Sequence, residues 1–315
     1  MNIYNDITLI IVCYNSYKLI QKNLSEISKF KTIIVDNSKS DEIRLLVEGV
    51  KNIKYIKTKK NLGYGKGNNL GVSESKTPFI LILNPDILVE SASIEILYKA
   101  YFNYENIGIL VPALYDNSNN RRSNGSLSYI NREKINKKNI LNNQKAEGNT
   151  CYQFAVGCAL LVKKEFFDEI GGFDKDLFMY FEDNDLCDKT IEKNKSIIEI
   201  PESKMIHLQG LSADNSFLQN CKLSIIHKIS EYIYYKKKTH FLNLYKKIFV
   251  NFFDYFQRFL VNLLLLRFKK SFKILELINK NQTNENKYIN NSIKSSNKYR
   301  FNKIKKKWIK LFNTK

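Results

Sequence analysis

Histidine and cysteine are scarce in this chain of 315 residues, and each scarcity excludes something. Only three histidines occur (His207, His227 and His240), so each stands alone as a candidate ligand. The five cysteines, Cys13, Cys151, Cys158, Cys187 and Cys221, include no C-x-x-C pair and have an odd total. That excludes a disulfide framework and a zinc pattern, and it fits a reducing cytoplasm. The opening residues, Met1 to Asp6, lack a basic region ahead of an apolar stretch, so no signal peptide is expected. The longest apolar run, near 248–268, is interrupted by Asp254, Arg258 and Arg267, too polar for a membrane span. There is no internal repeat.

Acidic residues nearly vanish from the C-terminal quarter. Residues 241–315 hold 18 Lys or Arg and 3 Asp or Glu, leaving 33 and 28 for the first 240 residues. The net charge of +20 therefore lies mostly in a basic tail on a near-neutral body. Such a distribution points to an anionic partner for the tail alone, not to nucleic acid as a partner of the whole protein. The hydrophobic fraction of 43% is ample for a buried core.

Short aliphatic runs alternate with helical stretches. Thr8–Cys13, Thr32–Val35, Ile53–Ile56 and Phe79–Leu83 read as strands, the first and last buried on both faces. A helix is expected from an N-cap at Ser16 to about Ile27, and another opens after the glycine-rich Asn61–Asn69. The alternation predicts an α/β fold with a Rossmann-like, mostly parallel sheet. Ligands in such sheets sit beyond the carboxyl ends of the strands. Polar clusters at 13–15, 36–38 and 84–86 all follow a strand's last apolar residue, so they should converge on one crevice.

Residues 116–150 are polar and Asn-rich and read as a mobile loop or lid. A strand is expected over Phe154–Val162, a short helix to Ile170, a helix from Glu182 to about Lys193, and a last strand over Ile197–Ile200 before Pro201. Three regions are expected: an α/β domain over 1–235, an amphipathic helical extension over 236–280, and a polar linker with a terminal basic helix over 281–315. In the last, Phe301, Ile304, Trp308 and Leu311 share one face ringed by lysines, the pattern of a helix lying on an anionic membrane.

Several residues are candidates for chemistry. Asp86, in Asn84-Pro85-Asp86, could hold a divalent cation on a diphosphate, where one or two carboxylates suffice. The same tripeptide is also ordinary turn chemistry. Asp36 could accept hydrogen bonds from a nucleoside, or simply cap an Asx-turn. The glycines after Asn61 could admit a phosphate at a helix start, or form a plain turn. Asp183, beside Glu182, shares a helical face with Leu186, Cys187 and Thr190 and could act as a general base. Acidic residues also favour a helix's positive end for stability alone, which is the simpler expectation for Asp185 and Asp188 on the more exposed side. His207 could be a metal ligand or an unremarkable polar residue.

Taken in order, the segments Val12-Cys13-Tyr14-Asn15-Ser16, Ile34-Val35-Asp36-Asn37-Ser38, Asn61-Leu62-Gly63-Tyr64-Gly65 with Asn68-Asn69, Leu83-Asn84-Pro85-Asp86 and Gly171-Gly172-Phe173-Asp174 through Phe181-Glu182-Asp183-Asn184-Asp185-Leu186 resemble the family 2 glycosyltransferases of the GT-A fold. They look most like the rhamnosyltransferase-type branch. The resemblance implies an inverting transferase that uses a nucleotide-sugar donor, with dTDP-rhamnose first and UDP-sugars next. Its acceptor would be a saccharide or lipid-linked saccharide in cell-surface polysaccharide synthesis. It implies that Asp36 binds the nucleoside near the pocket formed by Cys13, Tyr14 and Asn15. Asn61, Gly63, Asn69, Asn84 and Glu182 would line the substrate site. Asp86 and His207 would hold Mg²⁺ or Mn²⁺, with Asn84 where many members carry an acid, and Asp183 would be the catalytic base. The enzyme would then work in the cytoplasm, held at the inner face of the plasma membrane by its basic C-terminal region.

Overall fold

The computed structural model describes residues 2–134, 148–208, 217–239 and 241–264. Backbone contacts divide the chain into two compact units, Met1–Asn215 and Ser216–Lys315. The division falls upstream of the boundary at 235 expected from the sequence.

The first unit is built on a sheet whose parallel half joins β1 (Ile7–Cys13), β2 (Lys31–Asp36), β3 (Ile53–Lys57) and β4 (Phe79–Leu83) in the order β3-β2-β1-β4. Every residue of β1 and β4 is buried, as expected for strands covered on both faces. Alternation sorts β1 between two cores: Leu9, Ile11 and Cys13 face one, Ile10 and Val12 the other. Helices α2 (Tyr17–Ile27) and α5 (Ser91–Ala100) cover the first face through Ile20, Ile27, Ile94 and Leu97. A short N-terminal helix, α1 (Ile3–Asp6), and α3 (Glu42–Val47) join that layer through Ile3, Ile43 and Val47.

Helix α4 (Tyr64–Ser73) covers the opposite face. A Cβ at Gly67 would meet Val12 at 2.8 Å, and one at Gly71 would meet Ile10 at 2.6 Å. These glycines let the helix lie directly on β1. Ser16 sits at the N-cap of α2 as expected, but its hydroxyl exchanges hydrogen bonds with the Tyr14 backbone and leaves the helix N–H groups alone.

The other half of the sheet mixes directions. It runs β4-β11-β6-β12-β5, with β5 (Ile87–Leu88), β6 (Ile107–Tyr115), β11 (Ala159–Lys163) and β12 (Ser196–His207). β11 is antiparallel to both neighbours, while β12 is parallel to β6. The expected strand over 154–162 is two strands, β10 (Phe154–Ala155) and β11, broken at Val156-Gly157-Cys158. Pro201 does not end the last strand. β12 continues to His207 through a register shift between Ile200 and Lys204, a bulge that accommodates a residue without an N–H.

Much of the expected lid is ordered. Within 116–134, β7 (Arg121–Arg122) pairs with β6, β8 (Gly125–Ser126) pairs with β10, and α6 (Tyr129–Lys134) follows. Asn124 is fully buried and donates to the Pro112 carbonyl at 2.7 Å, and Arg121 pairs with the buried Glu199. β9 (Thr150–Tyr152) adds to β12, α7 (Lys164–Glu169) follows β11, and α8 (Glu182–Glu192) packs Leu186 and Cys187 into the second core. Residues 135–147 of the lid segment lie outside the described residues.

The second unit contains two described helices, α9 (Phe217–Lys238) and α10 (Phe241–Leu264). The basic terminal helix expected over 300–312 lies outside the described residues. Among the described residues no helix is long and apolar enough to cross a membrane.

Candidate functional site

The sheet's register brings the polar clusters to one edge. Cys13, the last residue of β1, pairs with Asp36, the last of β2, and Ile11 pairs with Leu83 at the end of β4. Because β11 runs antiparallel with Ala159 opposite Leu83, the Gly157-Cys158 break falls at that same edge. His207 pairs with Ile87 just beyond Asp86.

A continuous set of hydrogen bonds links these loops. The Asn15 N–H donates to Ser38 Oγ at 2.7 Å, with Asn15 in the left-handed region (φ 55°) that asparagine tolerates. Asn37 accepts from Thr58 and from the Leu62 N–H, and its own amide donates to the Gly63 carbonyl. Gly63 has φ +81°, and a Cβ there would stand 2.1 Å from the Phe178 carbonyl oxygen. No other residue fits, because both the backbone angle and the space exclude a side chain. The Asn61 carboxamide accepts from the Gly63 N–H at 2.9 Å, and the Tyr64 N–H donates to the Phe178 carbonyl at 2.9 Å. The Tyr64 hydroxyl then donates to the Gly157 carbonyl.

Asp36 is completely buried. Its Oδ1 accepts from the Ser38 N–H at 2.8 Å, the Asx-turn bond, and its Oδ2 accepts from the Tyr55 hydroxyl at 2.8 Å and from Lys57 at 3.2 Å. Burial, and then the bond to Asp36, push the Tyr55 phenol well up. Cys13 lies beside this cluster with its thiol in the core; burial and the Asp36 charge raise its pKa, so it stays a neutral thiol. Tyr14, by contrast, is exposed. Asn69 is directed to Phe173, accepting from its N–H at 2.9 Å and donating to its carbonyl at 2.8 Å. It pins the Gly171–Asp174 turn to α4.

The peptide Gly157-Cys158 lies between the two acidic positions. On one side the Gly157 N–H donates to Asp183 Oδ2 at 3.3 Å, and a Cβ on Gly157 would press on Asp183 Cβ at 2.9 Å. On the other side the Asn84 N–H donates to the Cys158 carbonyl at 2.8 Å. Burial raises the Cys158 pKa, with the Asp86 and Asp183 charges both adding to it, so both carboxylates act on one buried thiol. Asp86 and Asp183 thus flank the same short segment.

Asp183 is held at the start of α8, where the helix's positive end favours an acid. Its Oδ1 accepts from the Asn184 backbone and side-chain N–H groups at 2.8 and 3.1 Å. Burial raises its pKa, and those donors with Gly157 partly oppose the rise. Glu182 is buried, its Oε2 finds no partner among the described residues, and burial plus the neighbouring Asp183 push its pKa up to about 8. The two residues before this helix, Tyr180 (φ 71°) and Phe181 (φ 65°), are both left-handed. Bulky residues there cost on the order of 1–3 kcal/mol each, strain that aims the carboxylates. Asp185, expected on the exposed side, is instead buried and pairs with Lys189 at 2.7 Å.

Asp86 Oδ2 and His207 Nε2 stand 3.4 Å apart. Among the described residues no group of three or more His, Cys, Asp or Glu side chains gathers at metal-ligand spacing. This pair supplies one hard oxygen and one imidazole nitrogen, and the buried Asn84 Oδ1 nearby in sequence has no partner among the described residues. That set fits a cation completed by phosphate and water and not a closed protein cage. The sequence reading missed Asn37, Tyr55, Lys57, Tyr64, Gly157 and Asn184. Asn37, Tyr64 and Asn184 lie inside the matched motif segments without having been assigned a role, and Gly157, Tyr55 and Lys57 lie outside them.

Residues 8–171 match glycosyl transferase family 2. Over 222 residues the chain is 28% identical to the low-salt glycan biosynthesis hexosyltransferase Agl10 of Haloferax volcanii, covering 65% of this chain and 68% of that one. Over 257 residues it is 25% identical to the dTDP-rhamnosyl transferase RfbF of Shigella flexneri, covering 77% and 81%. In fold it is similar to GalNAc-T7, solved with UDP, GalNAc and Mn²⁺, with a TM-score of 0.53 at 12% identity over 74% of this chain and 50% of that one. A matching sheet, an edge where the polar loops meet, and the ordered motifs agree: the chain belongs to glycosyl transferase family 2 and has the GT-A fold.

Proposed function

We propose that the protein is an inverting hexosyltransferase that moves L-rhamnose from dTDP-rhamnose to a saccharide or lipid-linked saccharide acceptor. The observation that carries this reading is the placement of Asp183 on the Gly157 N–H while Asn84-Pro85-Asp86 holds the other side of the same peptide. The likeness to a dTDP-rhamnosyl transferase over most of both chains supports the donor. The second reading, a UDP-sugar donor, is favoured by the likeness of fold to a UDP-bound relative.

In the proposed reaction Asp183 accepts the proton of the acceptor hydroxyl. The acceptor oxygen bonds to the anomeric carbon as the bond from that carbon to the diphosphate oxygen breaks, with inversion. Asn184, donating to Oδ1, and the Gly157 N–H, donating to Oδ2, fix the orientation of the base before the proton arrives. Asp36 and the Asn15–Ser38 contact shape the nucleoside end. Asp86 and His207 would hold Mg²⁺ or Mn²⁺, which supplies charge compensation for the departing diphosphate. The basic C-terminal region would keep the enzyme at the inner membrane face, where a lipid-linked acceptor is found.

A thermal-shift screen of dTDP-, UDP- and GDP-sugars with Mn²⁺ tests the donor, because a bound ligand stabilises the folded state according to its affinity. dTDP-rhamnose is expected to give the largest rise. A larger rise with a UDP-sugar would replace the donor, and no rise with any of them would end the nucleotide-sugar reading.

A further inference from the structure

The helical pair of the second unit turns several of its polar residues inward. On α10, Lys247 is only 10% exposed: it pairs with Glu231 of α9 at 3.0 Å and lies over the Tyr235 ring, 4.5 Å from its centre. Asn251, one turn on, donates to the Tyr232 hydroxyl at 3.3 Å. From α9, Lys228 reaches over the Tyr255 ring. Lys247 and Asn251 are thus used against the neighbouring helix, while Asn243, Lys246, Asp254 and Gln257 of α10 stay exposed.

The apolar stripe faces outward. Tyr245, Phe249, Phe252, Phe253, Phe256 and Leu260 are spaced by three or four residues, which places them on one helical face. All six are exposed, Phe249 to 64% and Phe253 to 51%. A helix in water buries such a stripe. An exposed aromatic face this regular marks an interaction surface.

Charge identifies the occupant. α9 ends in Lys236, Lys237 and Lys238, and Lys246 borders the aromatic stripe of α10. The chain beyond α10, residues 265–315, carries 15 Lys or Arg against 2 Asp or Glu. Aromatic and aliphatic side chains flanked by cations match a bilayer surface, where rings enter at headgroup level and lysines meet anionic lipid. We propose that the outer face of α10 is itself a membrane-interface surface, lying in the headgroup region of an anionic bilayer. This deepens the membrane reading above and rests on it, but assigns the contact to α10 in addition to the terminal basic segment.

The test uses the full chain and vesicles of phosphatidylcholine with or without phosphatidylglycerol. A Phe253→Trp substitution in a Trp308→Phe background gives a single reporter on the stripe. Its emission should shift to shorter wavelength and be quenched by brominated lipid when anionic vesicles are added. Flotation of Phe249→Ser/Phe253→Ser/Phe256→Ser should fall by roughly tenfold or more, since three buried rings carry most of such binding. The thermal transition of the variant reports that it still folds.

If the parent protein floats only at low salt and the triple variant floats equally well, the basic tail alone binds and this inference is overturned while the membrane reading stands. If the parent binds neither vesicle, the membrane reading itself falls. A reporter already shifted in the absence of lipid would also overturn the inference. Its shift would be lost on dilution if a second copy covers the face, and lost on removing residues 265–315 if that segment does.

Discussion

The two halves of the sheet differ in how fully they satisfy their buried polar groups. In the parallel half, Asp36 sits in full burial with Ser38, Tyr55 and Lys57 donating to it, and Asn37 binds three partners in the loop that follows. In the mixed half, Glu182 Oε2, Asn84 Oδ1 and Asn184 Oδ1 are buried with no partner among the described residues. A buried polar group left unsatisfied costs about 1–3 kcal/mol, so a fold retains several at one edge only against a steady destabilisation. The parallel half is the better satisfied of the two, although Asn68 Oδ1 on α4 is also buried without a partner among the described residues. The mixed half carries more such atoms, beside the carboxylate proposed to take up a proton.

That contrast can be broken at Asp183 first. Asp183→Asn should lower sugar transfer by about 10²–10⁴-fold, while donor binding by calorimetry stays near that of the parent. Normal turnover would show that the base lies elsewhere. Gly157→Ala comes next. Its methyl group would push Asp183 away at a contact of 2.9 Å, so transfer should drop by on the order of 10²-fold with donor affinity largely kept. An equal loss of both would make Gly157 a folding residue only.

On the scaffold side the effects should appear in stability. Gly63→Ala meets both an unfavourable angle and the Phe178 carbonyl, and should cost about 2–4 kcal/mol in denaturant unfolding. Tyr55→Phe removes one donor from Asp36 and should cost about 1 kcal/mol. If Tyr55→Phe proved as damaging as Gly63→Ala, the Asp36 cluster would be less redundantly satisfied than its three donors suggest.

The smallest effect is a pH dependence. Glu182 has its pKa raised from the ordinary 4.5 to about 8, so the folded state prefers it protonated. The stability this contributes is complete below pH 4.5 and is lost as pH rises through about 8. Glu182→Gln, which stays neutral, should therefore flatten the fall in thermal midpoint between pH 5 and 8, by a few degrees at the upper end. An unchanged slope would mean that Glu182 is already ionised at neutral pH.

The parallel half was legible because its signals are local. A run such as Thr8–Cys13 can only be a doubly buried strand, and a polar cluster after each run marks the strand's carboxyl end. The mixed half was legible only in part. Glu182 to Glu192 matched the expected helix almost to the residue, because first-turn acids and the apolar spacing agree there, although no side chain caps it. The 154–162 segment misled because the apolar pattern is continuous across Val156-Gly157-Cys158, and nothing nearby shows that a carboxylate from a later helix needs the space. Pro201 misled in the opposite direction: a usual strand terminator is absorbed by a bulge against β6. Asp185 was expected to be exposed from its helical face alone, but Lys189 allows it to be buried.

Composition, hydrophobic period and motif order by themselves determined the α/β class, the family, the acidic candidates and the basic character of the C-terminal region. Each depends on residue type and short spacing, which a chain carries before it folds. Tertiary structure alone decided that Asp86 and Asp183 flank one peptide, that Asn69 holds Phe173, and that α10 turns its phenylalanines outward. These are contacts between residues distant in sequence, or between a helix and its neighbour, and they exist only once burial has selected which face of each element is covered.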